Sequence, residues 1–241
     1  MKTSDIRKQL WDLRCQLDLR KRFSTVARKY RSLFFRKKLI ADYLERNPVR
    51  KVQIGCGPNP LPGWMNTDID VMTGVIYVNA LKPLPLPDSS IDYIFSEHMI
   101  EHITYEDGNR LLQEALRVLK PGGRIRIATP NLEFLIRLHN EWDTDLAQRY
   151  AKYSVDQFIP YPKAYKRGNV INNYFRNWGH RFIYDFEMLS LTLTEAGFED
   201  IVRFAPKESD DAQFRNLETH GRLIGDEFNL LESMVVEARK P

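Results

Sequence analysis

Over the middle of this 241-residue chain, short apolar runs closed by glycine or proline alternate with stretches whose apolar positions recur every three or four residues. The first pattern predicts buried parallel strands and the second amphipathic helices. Strands are expected at about Lys51–Ile54, Met65–Asp68, Val75–Asn79 and Ile91–Phe95. A helix from Glu106 to Leu119, capped by Thr104 with Asp107 reaching back, leads through Pro121-Gly122-Gly123 into a fifth strand, Arg124–Thr129. From Pro130 to Tyr184 the alternation stops, and aromatic residues crowd in, among them Phe134, Trp142, Tyr150, Tyr174 and Trp178. Asp185 is placed to cap a helix that ends at Ala196 before Gly197, and Ile201–Phe204 and Met234–Ala238 read as the last two strands. Strands alternating with helices imply a parallel α/β sheet that binds its ligand at the carboxyl edge.

Ahead of the sheet, Ile6, Leu10, Leu13 and Leu17 share one helical face, and Phe23, Val26, Tyr30, Leu33 and Phe34 continue a second stripe up to Pro48. Charge changes the picture here. The formal net charge of +4 hides thirteen lysines and arginines against three aspartates in residues 1–38, so the remainder of the chain is net acidic. Residues 1–48 are therefore read as a basic helical arm and 49–241 as one domain, with 131–184 an aromatic insertion or lid. The arm either covers the sheet or mediates self-association with its basic face solvated, or it touches an anionic membrane surface or nucleic acid. No recognition motif for nucleic acid accompanies the charge. Cys15 and Cys56 make no disulfide framework, no apolar leader opens the chain, and no run approaches membrane-spanning length. A cytoplasmic location is expected.

The candidate chemistry centres on Lys51-Val52-Gln53-Ile54-Gly55-Cys56-Gly57-Pro58-Asn59-Pro60. Gly55 and Gly57 let the backbone turn sharply and approach a ligand. A dinucleotide site would need a third glycine and an immediate helix, whereas Pro58-Asn59-Pro60 favours extended chain. After this run come Pro62-Gly63-Trp64 and Asn66-Thr67-Asp68, then Pro83 to Asp92, Ser96-Glu97-His98-Met99-Ile100-Glu101-His102, and Leu119-Lys120-Pro121-Gly122-Gly123. These blocks, in this order, resemble the class I S-adenosylmethionine (SAM)-dependent methyltransferases, and among them the type 11-like, small bacterial-type subgroup. The resemblance covers roughly residues 50 to 130 well and the tail more loosely.

The resemblance implies a Rossmann-like, seven-stranded, mostly parallel sheet with helices on both faces and a final antiparallel pair. It also implies SAM as the methyl donor and a small-molecule or sugar-containing acceptor. Backbone N–H groups of Gly55, Cys56 and Gly57 are expected near the amino-acid end of the donor. Asp68, with Asp70 competing, is expected at the ribose hydroxyls, because an ionised carboxylate has two acceptor oxygens. Asn79-Ala80-Leu81 stands where the family usually places an acid facing adenine, and Gln53 replaces another frequent acid. Ser96 and Glu97 close the fourth strand beside the expected methyl position. If the acceptor must lose a proton, a neutral histidine suits the task. His98 is the first candidate and His180 the second, each with a satisfied core histidine as the plain alternative. His98 and His102 are spaced i, i+4, but no third ligand is evident, so no metal is expected and His102 reads as a packing or capping residue. The competing reading of the whole chain is an interaction module of the same fold that works through its basic arm with little transfer activity.

Overall fold

In the computed structural model, residues 26–70 and 72–241 are described. The Ile6–Leu17 stripe and Cys15 lie outside them. The chain begins, within the described residues, as a helix over 26–46 (α1), followed by β1 (Lys51–Ile54), β2 (Met65–Asp68), β3 (Val75–Tyr77) and β4 (Ile91–Glu97). A single 3-10 turn, Ile100–His102, precedes α2 (Tyr105–Val118) and β5 (Leu119–Pro130). Then come α3 (Leu132–Asn140), α4 (Asp145–Phe158), α5 (Arg167–Arg176), α6 (Phe186–Ala196), β6 (Glu199–Phe204), α7 (Gly221–Ile224), α8 (Asp226–Glu232) and β7 (Ser233–Arg239).

The seven strands lie in the order β3-β2-β1-β4-β5-β7-β6. The first five are mutually parallel, and β7 runs antiparallel to both β5 and β6. Strand order reverses between β1 and β4, the place where open α/β sheets bind ligands beyond their carboxyl ends. Caps set the helix limits. Thr104 Oγ1 accepts from Asp107 N–H and donates back to the Asp107 carboxylate, and Asp185 accepts from Met188 N–H. Gly197 ends α6 at φ +101°, a left-handed conformation that glycine adopts without steric cost. Several strand limits differ from the sequence expectation: β4 runs on to Glu97 and β6 starts at Glu199. β3 stops at Tyr77, so Asn79 lies in the following turn. β5 starts at Leu119 beside Ile91, and Lys120–Gly123 bulge out before pairing resumes at Arg124 beside Tyr93. Extended pairing thus begins before the glycine turn rather than after it.

The two faces of the sheet differ because consecutive strand residues point opposite ways. Val52, Ile54, Ile94, Ile125, Ile127 and Val236 share the main apolar core with α2, α6 and Ile40 of α1. The other face holds Gln53, Asn66, Arg126 and Glu237, all buried. Helices therefore cover the apolar face as expected, whereas the polar one is covered around Trp64, Phe95, Phe214 and Leu217, with Phe214 and Leu217 contributed by the segment between β6 and α7. Arg126 stands directly across from Glu237 on β7, bonds its carboxylate, and donates to Glu218 Oε1 at 2.6 Å and to the Glu208 carbonyl at 2.8 Å. A buried guanidinium holds the segment down onto the sheet.

The aromatic stretch 131–184 folds as α3 to α5 around a separate core of Phe134, Tyr150, Val170 and Tyr174, against which Phe228 and Leu231 of α8 pack. Among the described residues, no helix is long and apolar enough to cross a membrane. α1 is not detached: Ser32 is buried and accepts from Tyr77 N–H of edge strand β3 at 2.8 Å, and Tyr43 Oη donates to the Lys51 carbonyl at 2.8 Å.

Candidate active site

A cavity of about 740 Å³ opens at the carboxyl ends of β1 to β4. Its walls come from Gly55 and Gly57, from Asp68 and Asp70, from Val78 through Leu81, and from His98, His102 and Asp107. Such a volume suits a cofactor-sized molecule. Of residues 131–184, Arg181 lines it, so the three insertion helices stand beside the cavity rather than over it.

At the end lined by Gly55 and Gly57 the glycines shape space more than they offer hydrogen-bond donors. Gly55 (φ +67°) and Gly57 (φ +50°) both take left-handed backbone. A Cβ on Gly55 would run into the Met99 side chain, whereas one on Gly57 would stand in open space at the cavity wall. The N–H groups expected to face the ligand are already engaged. Gly55 and Cys56 both donate to the Thr67 carbonyl, at 2.9 and 3.1 Å, and Gly57 donates to Asp68 Oδ2 at 2.8 Å. Asp68 Oδ1 accepts from Asp70 N–H at 2.8 Å, which leaves each Asp68 oxygen one lone pair for a ligand diol. Asp70 is exposed and lines the same cavity. Asn79 Oδ1 accepts from Leu81 N–H at 2.9 Å in a local turn, and Ala80 and Leu81 form an apolar lip.

Three other sequence-picked residues turn away from this cavity. Gln53 holds the loop beneath: its Nε2 donates to the Asn59 carbonyl and its Oε1 accepts from Leu61 N–H. Ser96 is buried and donates to the Ile54 carbonyl. Glu97 anchors the entry to α7, accepting from Thr219 N–H, Thr219 Oγ1 and His220 N–H at 2.8, 2.8 and 2.9 Å. Cys56 is also buried, and burial together with the Asp68 charge pushes its thiol up to about 12.

The opposite end is a histidine and carboxylate cluster. His98 follows β4 in left-handed backbone (φ +48°), a conformation that costs a non-glycine residue of order 1 kcal/mol or more. Its Nε2 lies 3.1 Å from Ser233 Oγ, whose proton goes to Asn229 Oδ1, so His98 is the donor in that bond. Its Nδ1 is 3.2 Å from Glu101 Oε1, and its ring lies against His220 at 3.9 Å between centroids. Burial opposes charge on His98, but Glu101, with Glu232 and Glu97 behind it, overcomes burial and holds its pKa above the usual value. Both ring nitrogens face protein groups, so the neutral, free-nitrogen base expected at His98 is not the arrangement found. His180 does not line the cavity: Nδ1 lies 2.7 Å from the Tyr174 carbonyl, and burial lowers its pKa.

Several residues here escaped the sequence reading. His220 bonds Glu232 at 3.0 Å, and Tyr150 bonds the same carboxylate. Arg181 and Phe182 N–H groups clamp the Glu101 carbonyl at 2.7 and 3.2 Å. No local motif announces these residues. The available signal was bulk: the chain has five histidines, and four of them converge here.

Residues 52–127 match the methyltransferase domain family. A "Probable S-adenosylmethionine-dependent methyltransferase" of Mycolicibacterium smegmatis is 43% identical over 51 residues, covering 21% of this chain and 19% of that protein. A protein of the same description from Mycobacterium tuberculosis is 41% identical over 51 residues, 21% of this chain and 18% of its own length. The match thus spans about a fifth of the length of these curated relatives. A solved SAM-dependent methyltransferase from Archaeoglobus fulgidus aligns over 88% of this chain and 94% of its own at 18% identity, with a TM-score of 0.48. The blocks around Gly55, Asp68 and Leu119 that resemble the class I SAM-dependent methyltransferases fall inside the region matched by that methyltransferase-domain family.

Proposed function

We propose that this protein transfers the methyl group of SAM to a polar small-molecule or sugar-containing acceptor. The observation that carries the reading is one continuous cavity with two unlike ends. Gly57, Asp68 and the Val78–Leu81 lip form one end, and His98, His102, Thr104, Asp107 and Arg181 form the other. The donor end suits SAM: an open wall where a Cβ on Gly57 would intrude, acceptor lone pairs on Asp68 for a diol, and an apolar lip for a flat ring. When bound, SAM supplies a methyl carbon already activated by its sulfonium. The chain's own residues align the two reactants and exclude water. Arg181 and Asp107 offer opposite charges for orienting a polar acceptor. Calorimetry with S-adenosylhomocysteine tests the donor half, and methyl transfer from labelled SAM to candidate acceptors tests the rest. Wild-type protein that shows no heat of binding at millimolar ligand would sink the proposal.

A second reading, contact with an anionic lipid surface, is favoured by α1. Tyr30, Leu33 and Phe34 are exposed, with Phe34 at 82%, and exposed Arg31, Lys37 and Lys38 stand on the same helix. Aromatic side chains with interleaved cations are the composition of interfacial helices. Sedimentation with vesicles containing phosphatidylglycerol, against neutral phosphatidylcholine vesicles, checks it. Binding should require the anionic lipid, fade with salt, and drop in Phe34→Ser. Equal binding to both vesicle types, or none, refutes it.

A further inference from the structure

We propose that Glu101, His102 and His180 form a binding site for a divalent transition-metal ion beside the acceptor end of the cavity. One ligand atom from each of the three lies within 4.8 Å of the other two. Two come from the 3-10 turn after β4. The third returns from the far end of the insertion, brought alongside where Arg181 and Phe182 N–H groups bond the Glu101 carbonyl. Sequence spacing had offered His98 and His102 without a third ligand, and the fold supplies Glu101 and His180 as companions to His102.

Three features point to an ion rather than to packing. First, Glu101 is fully buried, and its Oε1 has no hydrogen bond. His98 Nδ1 lies 3.2 Å from Oε1, close enough for charge attraction, and His102 Nε2 is farther away at 3.9 Å. An oxygen that accepts no hydrogen bond keeps its lone pairs for a metal ion. Secondly, the other oxygen is held: Oε2 accepts from Thr129 Oγ1 at 3.2 Å, fixing the carboxylate's aim. Thirdly, His180 Nδ1–H donates to the Tyr174 carbonyl at 2.7 Å, which leaves the Nε2 lone pair free. A histidine oriented through its second nitrogen by a backbone carbonyl is the usual support for a metal ligand.

Two imidazoles and one carboxylate make the three-ligand set that holds Zn²⁺ with a coordination position left open, at about 2.0–2.2 Å from each ligand atom. Closing to that distance asks for a shift of roughly 1 Å in the rings, and His102, 37% exposed, has room to make it. Since His102 also lines the cavity, the open position would face the acceptor end. The binding claim itself holds whether or not the protein transfers a methyl group.

The test uses untagged full-length protein stripped of metal with a chelator and exchanged into chelator-free buffer. Zn²⁺ alone is titrated by calorimetry, and Co²⁺ alone by visible absorption. One equivalent should bind, with Co²⁺ giving d–d bands of a low-coordinate nitrogen and oxygen site. His180→Ala should weaken binding at least tenfold and abolish the bands while retaining S-adenosylhomocysteine binding, which shows that it is folded. His139→Ala, outside the cluster, should bind metal as wild type does. Absence of binding below about 100 µM Zn²⁺, where the weakest useful affinity is near −5 to −6 kcal/mol, overturns the site. So does wild-type affinity in His180→Ala, which would put the ion elsewhere.

Discussion

The two ends of the cavity are built in opposite ways. Gly55, Gly57, Asp68 and the Val78–Leu81 lip lie within thirty residues of one another, and their links are mostly to backbone groups of the neighbouring loop. At the other end, His98, Glu101 and His102 meet His180 and Arg181, then His220, Glu232 and Ser233, drawn from three distant stretches of chain. The first end is a local motif and the second a tertiary network. Changes at the first should act one at a time, whereas changes at the second, or beneath it, should spread.

The largest effect is expected beneath the network. Arg126 is fully buried among Glu218, Glu237 and the Glu208 carbonyl, and through that segment it supports the Thr219–Glu97 clasp. Removing one partner of a buried ion network costs about 3–5 kcal/mol. Arg126→Ala should show that loss in urea denaturation, and Arg126→Met paired with Glu237→Leu should recover much of it. A loss below about 1 kcal/mol, the level of an exposed ion pair, would mean that the two ends do not differ as described.

At the donor end, Gly55→Ala combines positive φ with a collision against Met99, so a loss of about 1–3 kcal/mol from backbone strain alone is expected. Weakened S-adenosylhomocysteine binding should accompany it. Gly57→Ala shares the strain without the collision, so its loss of stability should be smaller, and equal losses would discount the Met99 contact.

Asp68→Ala comes next. It removes two acceptors for ligand hydroxyls and unties Gly57 and Asp70, so calorimetry should show about a 10- to 100-fold weaker complex, from charged hydrogen bonds of roughly 1.5–3 kcal/mol. Asp70→Ala should lose under threefold, less than the ~0.7 kcal/mol that such a factor represents. The reverse order would move the ribose contact to Asp70.

The donor end was legible because its chemistry is written in adjacent residues. The glycines, the Asn66-Thr67-Asp68 strand and the helix limits at Thr104, Asp185 and Gly197 need only local backbone rules, and all of them stand in the folded chain. The engaged N–H groups of Gly55 and Cys56 were not legible, because Thr67's carbonyl reaches them only once β1 and β2 pair. The acceptor end was less legible still. His220 and Glu232 sit in short helices with no motif around them, and the fit of His180 beside Glu101 depends on the return of the chain after three insertion helices. α3 to α5 do carry a helical period, with Phe134, Leu135 and Leu138, then Ala147, Tyr150, Ala151 and Val155, then Val170 and Tyr174 buried. These helices pack on one another rather than on the sheet, so the strand–helix alternation gave no sign of them.

The smallest effect concerns Cys56. Its thiol stays protonated in the folded protein up to about 12, against 9.0 for an ordinary thiol. The folded state therefore holds a proton that the unfolded chain releases, and stability should fall as pH rises from 9 toward 12. At neutral pH nothing should change. Comparing the alkaline denaturation of wild type and Cys56→Ala isolates this contribution, and parallel curves would discount it. Slow alkylation at pH 8 should accompany it, rising to the free-thiol rate in denaturant.

The Ser32 hydroxyl beside Tyr77 has a practical side. β3 is an outermost strand, and a bare outermost strand is a template on which other chains can polymerise. The basic helix is thus also a seal, with Lys29 Nζ lying over the Tyr77 ring of that strand. Trimming the chain to residue 49 to isolate the sheet domain would strip the seal and invite fibrils or precipitate. A cut ahead of residue 26 keeps Ser32, Ile40 and Tyr43 in place, and that shorter chain is the one suited to asking what the first residues do.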